Sequence, residues 1–145
     1  MTDTIQVVCP RCDATNRVPA VRLGDGPRCG ECRAPLFEAK PAALSKEGLR
    51  RHLRDSGIPL PVDFWASWCG PCRTMVPQFE AAARELEPRL RLAKVSTEEA
   101  PHLAAELGIA SIPTLALFAG GREIARQSGA VPARRIVEWA RAAAA

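Results

Sequence analysis

The chain has 145 residues, of which 47% are hydrophobic and 25% charged, with a formal net charge of +4. That balance fits a globular protein with one sizeable core and a small appendage. It lacks the concentrated basic stripe of a nucleic-acid binder, so no nucleic-acid partner is expected. No apolar run approaches the roughly 20 residues of a membrane helix, so no membrane partner is expected either. The start, Met1 to Gln6, lacks the basic and then apolar pattern of an export signal, so the expected location is the cytoplasm.

The six cysteines form three pairs, Cys9/Cys12, Cys29/Cys32 and Cys69/Cys72, each with two intervening residues. In a cytoplasmic chain such pairs point to metal binding or redox chemistry rather than to a disulfide scaffold. The first two pairs make a C-x2-C-x16-C-x2-C pattern. Each two-residue gap lets a tight turn aim both thiolates at one ion, and two such turns complete a tetrahedral shell of four sulfurs. Four thiolates suit zinc and leave no open coordination position, so one structural ion held by Cys9, Cys12, Cys29 and Cys32 is expected. The segment between the pairs has few large apolar residues, and metal binding supplies the staple that so small a core needs. Four thiolates also outweigh the charge of the ion, which argues against phosphate binding by this lobe.

Residues 1–40 are therefore expected to form a four-cysteine zinc ribbon and residues 41–145 a second domain. The join lies near Ala39–Ala43, with Phe37 a candidate for the start of the second domain's first strand. The spacing of Leu44, Leu49, His52 and Leu53 predicts a helix over 45–56 with Ser45 as its N-cap and Gly57 at its end. A buried strand follows from Leu60 to Ala66. A helix is expected from Pro71 to Glu87, burying Val76, Phe79, Ala83 and Leu86 and kinked at Pro77. Next come a strand over 90–95 and a helix over 101–107 closed by Gly108. Two antiparallel strands, 115–119 and 123–129, follow about a Gly120-Gly121 turn, and Pro132 opens a last helix with Ile136, Val137 and Trp139. The order β-α-β-α-β-α-β-β-α describes an α/β fold, a mixed central sheet with helices on both faces. His52 and His102 are isolated and are expected on the surface.

The third pair sits where the buried strand runs into the second helix, in Trp68-Cys69-Gly70-Pro71-Cys72. A Cys-x-x-Cys at such a junction can close into a disulfide and reopen. Asp63 stands in that strand among Val62, Phe64 and Ala66. Burying it there is costly, burial raises its pKa, and it becomes a candidate proton acceptor near neutral pH.

Together, Val62-Asp63-Phe64-Trp65-Ala66, the Trp-Cys-Gly-Pro-Cys core, Pro77, Ala93-Lys94-Val95, Gly108-Ile109, Ser111-Ile112-Pro113-Thr114, Phe118 with Gly121, and Gly129-Ala130 closely resemble the thioredoxin family. The two upstream cysteine pairs, with Asn16-Arg17-Val18-Pro19 between them and Leu36-Phe37 after them, resemble its zinc-containing bacterial thioredoxin-2 branch. The sequence departs from the family at Pro61, which removes a ladder donor from a central strand. It departs again at Ser96-Thr97-Glu98, where Glu98 stands at a position commonly aspartate.

The resemblance implies a thioredoxin fold and a protein-disulfide reductase that needs no organic cofactor. Cys69 would be the nucleophile and Cys72 the resolving thiol, with Asp63 as base and Lys94 interacting with Asp63. It also implies a cis peptide bond at Ile112-Pro113, placing Pro113 against the cysteine pair. Trp68, Gly70, Pro71, Ile112, Gly129 and Ala130, with Pro113, would form the rim where substrate peptides dock. The implied partners are thioredoxin reductase and disulfide-containing substrate proteins, and the expected state is a monomer. The alternative is a zinc-dependent redox sensor or protein-binding module whose four-cysteine site releases metal on oxidation.

Overall fold

A computed structural model describes residues 3–145. The N-terminal lobe carries an antiparallel pair, β1 (Thr4–Val8) and β2 (Thr15–Pro19), followed by a single 3-10 turn at Ala20–Arg22. The rest of the chain forms a five-stranded mixed sheet. Its elements in sequence are β3 (Ala42–Ala43), α1 (Lys46–Asp55), β4 (Leu60–Trp65), α2 (Gly70–Leu86), β5 (Ala93–Ser96), α3 (Pro101–Glu106), β6 (Thr114–Ala119), β7 (Arg122–Ser128) and α4 (Ala133–Ala144). The strand order is β3-β5-β4-β6-β7, with β4 central, parallel to β5 and antiparallel to β6. The element order agrees with the sequence expectation.

Strand alternation divides the core into two layers. Val62 and Phe64 pack with Ala116, Phe118, Leu49 of α1 and Leu103 of α3 on one face. Leu115 and Leu117 meet Met75, Phe79 and Leu86 of α2 and Ile136 and Ala140 of α4 on the other. Asp63 stands between Val62 and Phe64 and opposite Leu115, so it projects to the α2 face.

Several local expectations are corrected. Phe37 begins no strand; the main sheet starts at Ala42. Val76 is exposed and Met75 is buried in its place, one position back on the helix. Leu90, Arg91 and Leu92 precede β5 rather than belonging to it. Pro132 is the N-cap of α4, and its carbonyl accepts from Arg135 and Ile136. Ser56, not Gly57, caps the end of α1. Pro61 lies inside β4, opposite Leu117 of β6, while the ladder with β5 begins only at Val62↔Ala93. The Gly120-Gly121 turn has φ of 60° and 78°, as a two-residue hairpin with both central residues left-handed requires.

His52 is the largest departure. It is 1% exposed, its Nε2 lacks a hydrogen-bond partner among the described residues, and burial, with Arg91 nearby, lowers its pKa to about 3. Its place on the buried face of α1 explains this: Leu49, also buried, lies one turn before it at i−3. His102 is exposed, as expected.

The lobe docks where β4 and β5 begin. Gly57 N–H donates to the Gln6 carbonyl at 2.8 Å, and Thr15 Oγ1 donates to Asp55 Oδ2 at 2.9 Å. Arg91 crosses the junction almost fully buried, at 2% exposure. Its Nη2 donates to the Leu36 carbonyl at 2.6 Å and the Val8 carbonyl at 3.3 Å, and its guanidinium lies 4.4 Å from the Phe37 ring centroid. Glu87, also buried, stands 4.0 Å from Arg91 Nη1 and accepts from the Leu92 amide.

Candidate redox and metal sites

The redox pair sits at the opposite end of β4 from the lobe. After Trp65 the chain makes a turn from Ala66 to Cys69, closed by Cys69 N–H donating to the Ala66 carbonyl at 3.2 Å. Cys69 is the N-cap of α2, with extended backbone, and its Sγ accepts from Cys72 N–H at 3.2 Å. A helix N-terminus offers unpaired N–H groups and the positive end of its dipole, both of which favour a thiolate. Cys72 lies in the first turn, and Cys69 and Cys72 are joined as a disulfide. Pro71 occupies an early helical position that has no donor to lose.

The Ile112-Pro113 bond is cis, as expected, and the Ile112 carbonyl oxygen lies 3.8 Å from Cys69 Sγ. A second cis bond, Glu87-Pro88, had no signal in the sequence. Around the pair, Trp68 is 69% exposed; Gly70, Pro71, Gly129 and Ala130 are exposed, and Ile112 is half-buried. Pro113 is buried, and its carbonyl accepts from Gly129 N–H at 2.8 Å. Ile112 packs against the two cysteines, and the Gly129–Pro113 bond ties the end of β7 to the cis-proline turn.

Asp63 is 4% exposed, and its Oδ1 has no hydrogen-bond partner among the described residues. Desolvation raises its pKa to about 7, opposed by the charge of Lys94. Lys94 is its register partner on β5, and the ammonium also lies 5.8 Å from the Trp65 ring centroid. The α2 face thus holds a carboxyl group able to exchange a proton near neutral pH, beneath the helix that carries Cys72.

The four upstream cysteines form a separate cluster, with all four Sγ atoms within 4.8 Å of one another. Cys9 and Cys32 Sγ are 3.6 Å apart, and Cys12 and Cys29 Sγ are 3.5 Å apart. A tetrahedral zinc with Zn–S near 2.3 Å needs edges of about 3.8 Å, so the donor set fits the ion. Two turns of the same design build it. Arg11 N–H reaches Cys9 Sγ and Glu31 N–H reaches Cys29 Sγ, each at 3.4 Å. Asp13 and Arg33, one residue beyond each pair, both adopt positive φ. Asn16 ties β2 to the second turn by donating to Cys29 Sγ at 3.6 Å and accepting from Gly30 N–H at 2.9 Å.

Comparison with known proteins gives this geometry its family. A thioredoxin family profile matches residues 40–142, well over half of the chain. The chain belongs to the thioredoxin family. A second profile, described as "Thioredoxin 2, N-terminal", a zinc ribbon, matches residues 8–34. Thioredoxin C-3 of Corynebacterium nephridii is 38% identical over 133 residues, covering 92% of this chain and 91% of its own. The chloroplastic M-type thioredoxin of Chlamydomonas reinhardtii is 37% identical, covering 83% of this chain and 89% of its own. Among solved structures, chloroplastic thioredoxin z superposes with a TM-score of 0.66 at 32% identity, covering 72% of this chain and 94% of its own. A thioredoxin mutant from Halobacterium salinarum gives 0.67 at 25% identity, covering 75% and 95%. The chain is accordingly a thiol-disulfide oxidoreductase, a thioredoxin-type protein-disulfide reductase with an N-terminal zinc-ribbon lobe. No described helix is long and apolar enough to cross a membrane.

Proposed function

We propose that Cys69 is the nucleophile and Cys72 the resolving thiol in the reduction of disulfides in other proteins. The Cys69 thiolate attacks one sulfur of the substrate disulfide, forming a mixed disulfide and releasing the other substrate sulfur as a thiolate. Cys72 then gives its proton to Asp63 and attacks Cys69 Sγ. The substrate leaves fully reduced and the Cys69–Cys72 disulfide holds the two oxidising equivalents. A thioredoxin reductase, drawing on NADPH, returns the pair to the dithiol.

One observation carries the assignment of roles: Cys69 caps α2, and the Cys72 amide points at its sulfur. Asp63, buried on the α2 face with a pKa near 7, is suited to the base role, and Lys94 tunes it electrostatically. Trp68, Gly70, Pro71, Ile112, Pro113, Gly129 and Ala130 form the substrate rim. An extended peptide fits there because the rim is apolar and adjoins the disulfide.

The chain divides into a zinc ribbon of residues 1–40, with one zinc ion held by Cys9, Cys12, Cys29 and Cys32, and a redox domain of residues 41–145. Bound zinc cross-links the lobe and takes no part in electron transfer. The protein works as a cytoplasmic monomer without an organic cofactor.

The test is insulin reduction with NADPH and thioredoxin reductase. The wild type is expected to turn over and Cys69→Ser to be inactive, and activity persisting in Cys69→Ser would sink the assignment.

A further inference from the structure

The turn that carries Trp68 and Cys69 is held from outside by two charged side chains that the reaction itself does not use. Glu98 lies in the β5–α3 loop, 31 residues away in sequence. Its Oε1 accepts from Ser67 N–H at 2.7 Å and from Ser67 Oγ–H at 2.8 Å. These bonds hold the carboxyl of Glu98 below its ordinary pKa. From the other side, Arg73 in the first turns of α2 donates from Nη1 to the Ser67 carbonyl at 2.8 Å. Thr97 completes the clamp, since its N–H and its Oγ–H both donate to the Trp65 carbonyl, at 2.8 and 3.2 Å.

Ser67 therefore has its N–H, its hydroxyl and its carbonyl all engaged, by two different segments of the chain. Its N–H belongs to the peptide plane before it and its carbonyl to the plane leading into Trp68. With both planes fixed, the backbone direction into Trp68 is set, although that side chain is the most exposed aromatic described. A turn on the surface would otherwise satisfy these groups with water and sample several conformations. Hydrogen bonds to charged groups are the stronger kind, and here one anion and one cation bracket a single residue.

We infer that Glu98 and Arg73 are positioning residues for substrate docking: bracketing Ser67, they hold the Ala66–Cys69 turn so that Trp68 presents a preformed edge to the incoming peptide. The consequence falls on recognition rather than on thiol chemistry. Among the described residues neither side chain hydrogen-bonds a sulfur, and the Cys69 sulfur has its own partner in the Cys72 amide. The inference rests on the assignment of Trp68 to the substrate rim.

The test compares wild type, Glu98→Ala, Glu98→Gln, Ser67→Ala and Trp68→Ala, as full-length zinc-loaded protein. Each is assayed for insulin reduction with thioredoxin reductase and for reaction of the reduced protein with the small disulfide 5,5′-dithiobis(2-nitrobenzoate). Glu98→Ala is expected to raise KM for insulin about fivefold with kcat within twofold, and to leave the small-disulfide rate within twofold. Amide hydrogen exchange at Ser67 should quicken at least tenfold, and Tm should move little. Glu98→Gln, which keeps one acceptor oxygen, should recover most of the KM, and Ser67→Ala should fall between it and Glu98→Ala.

An unchanged insulin KM in Glu98→Ala alongside a raised KM in Trp68→Ala would overturn the bracing role and leave the rim intact. An unchanged KM in Trp68→Ala would overturn both. Equal losses with insulin and the small disulfide, or unaltered exchange at Ser67, would also overturn the bracing role.

Discussion

Two cysteine sites share the Cys-x-x-Cys spacing: one follows the end of β4, and the other lies in the lobe that docks near the start of that strand. They differ in the path of the backbone beyond the first cysteine. At Cys69 the chain enters a helix of 17 residues, so the thiol gains a helix N-terminus and the second thiol is carried inward beneath it. At Cys9 and Cys29 the chain instead turns back on itself. Cys9 N–H donates to the Ala14 carbonyl and Cys29 N–H to the Ala34 carbonyl, each at 2.8 Å, so both thiols of each turn face the other turn. The shared spacing brings two sulfurs close together, and the fold around it decides whether they bond to each other or to a metal.

The sharpest way to break that contrast is to remove one sulfur from each site. Cys69→Ser should lower insulin reduction by at least a factor of about 10³, because the nucleophile itself is gone, while zinc per chain, measured by metal analysis, stays at the wild-type value. Cys29→Ser should do the reverse: zinc content falls by more than half, while insulin reduction at 20 °C stays within about threefold.

Stripping zinc with a strong chelator should come next in size. The lobe loses its cross-link, and Arg91 loses the Val8 and Leu36 carbonyls as the lobe comes away from it. Losing two hydrogen bonds to a charged group costs about 3–6 kcal/mol, a Tm drop of roughly 10 °C for a chain of this length by scanning calorimetry. Arg91→Met should reduce that sensitivity to chelation.

Asp63→Asn sharpens the redox half. The native pKa of Asp63, about 7, lies above the ordinary 3.8. Between these values the unfolded chain releases a proton that the native chain keeps, so native stability falls as pH rises through that window. Replacing Asp63 by Asn should therefore stabilise the protein at pH 8 by up to about 4 kcal/mol and hardly at all below pH 4, as read from urea unfolding. The same substitution should slow insulin reduction several-fold.

The smallest effect belongs to His52. Its native pKa of about 3 lies below the ordinary 6.5, so stability is complete above pH 6.5 and is lost as pH falls toward 3. At pH 5 the loss is about 2 kcal/mol, and His52→Leu should abolish that part of the pH dependence.

Much of this was legible in the sequence. The order of elements, both cysteine sites and the buried Asp63 follow from patterns whose chemistry constrains their neighbours, and the cis bond before Pro113 follows from the family resemblance. The features that escaped have a common cause. Arg91, Glu87 and His52 are polar residues whose burial depends on what packs over their elements: the lobe's Val8, Leu36 and Phe37 meet Arg91, Arg91 faces Glu87, and His52 lies on the buried face of α1. Nothing in a helical or strand period records what another domain will cover. The register differs by one position at Val76 because the first two turns of α2, interrupted by Pro71 and Pro77, fit several helical registers equally well. Ser67 and Glu98 escaped because their bond spans 31 residues of sequence and joins two turns, where no periodicity operates. Only the substitution of Glu98 for the more usual aspartate marked the place.

Gly57 carries a consequence beyond its place after α1. A Cβ there would lie 3.1 Å from Ile5 Cγ2 and 3.2 Å from the Gln6 amide nitrogen, so only a bare backbone can approach β1 this closely. Its N–H, bonded to Gln6, occupies part of the strand's outer rim, the side away from β2, where another chain's strand could add. The α1–β4 connection thus acts as a guard against self-association. A bulkier residue at 57 would lift that guard and favour oligomers joined strand to strand through β1, even with the redox pair untouched.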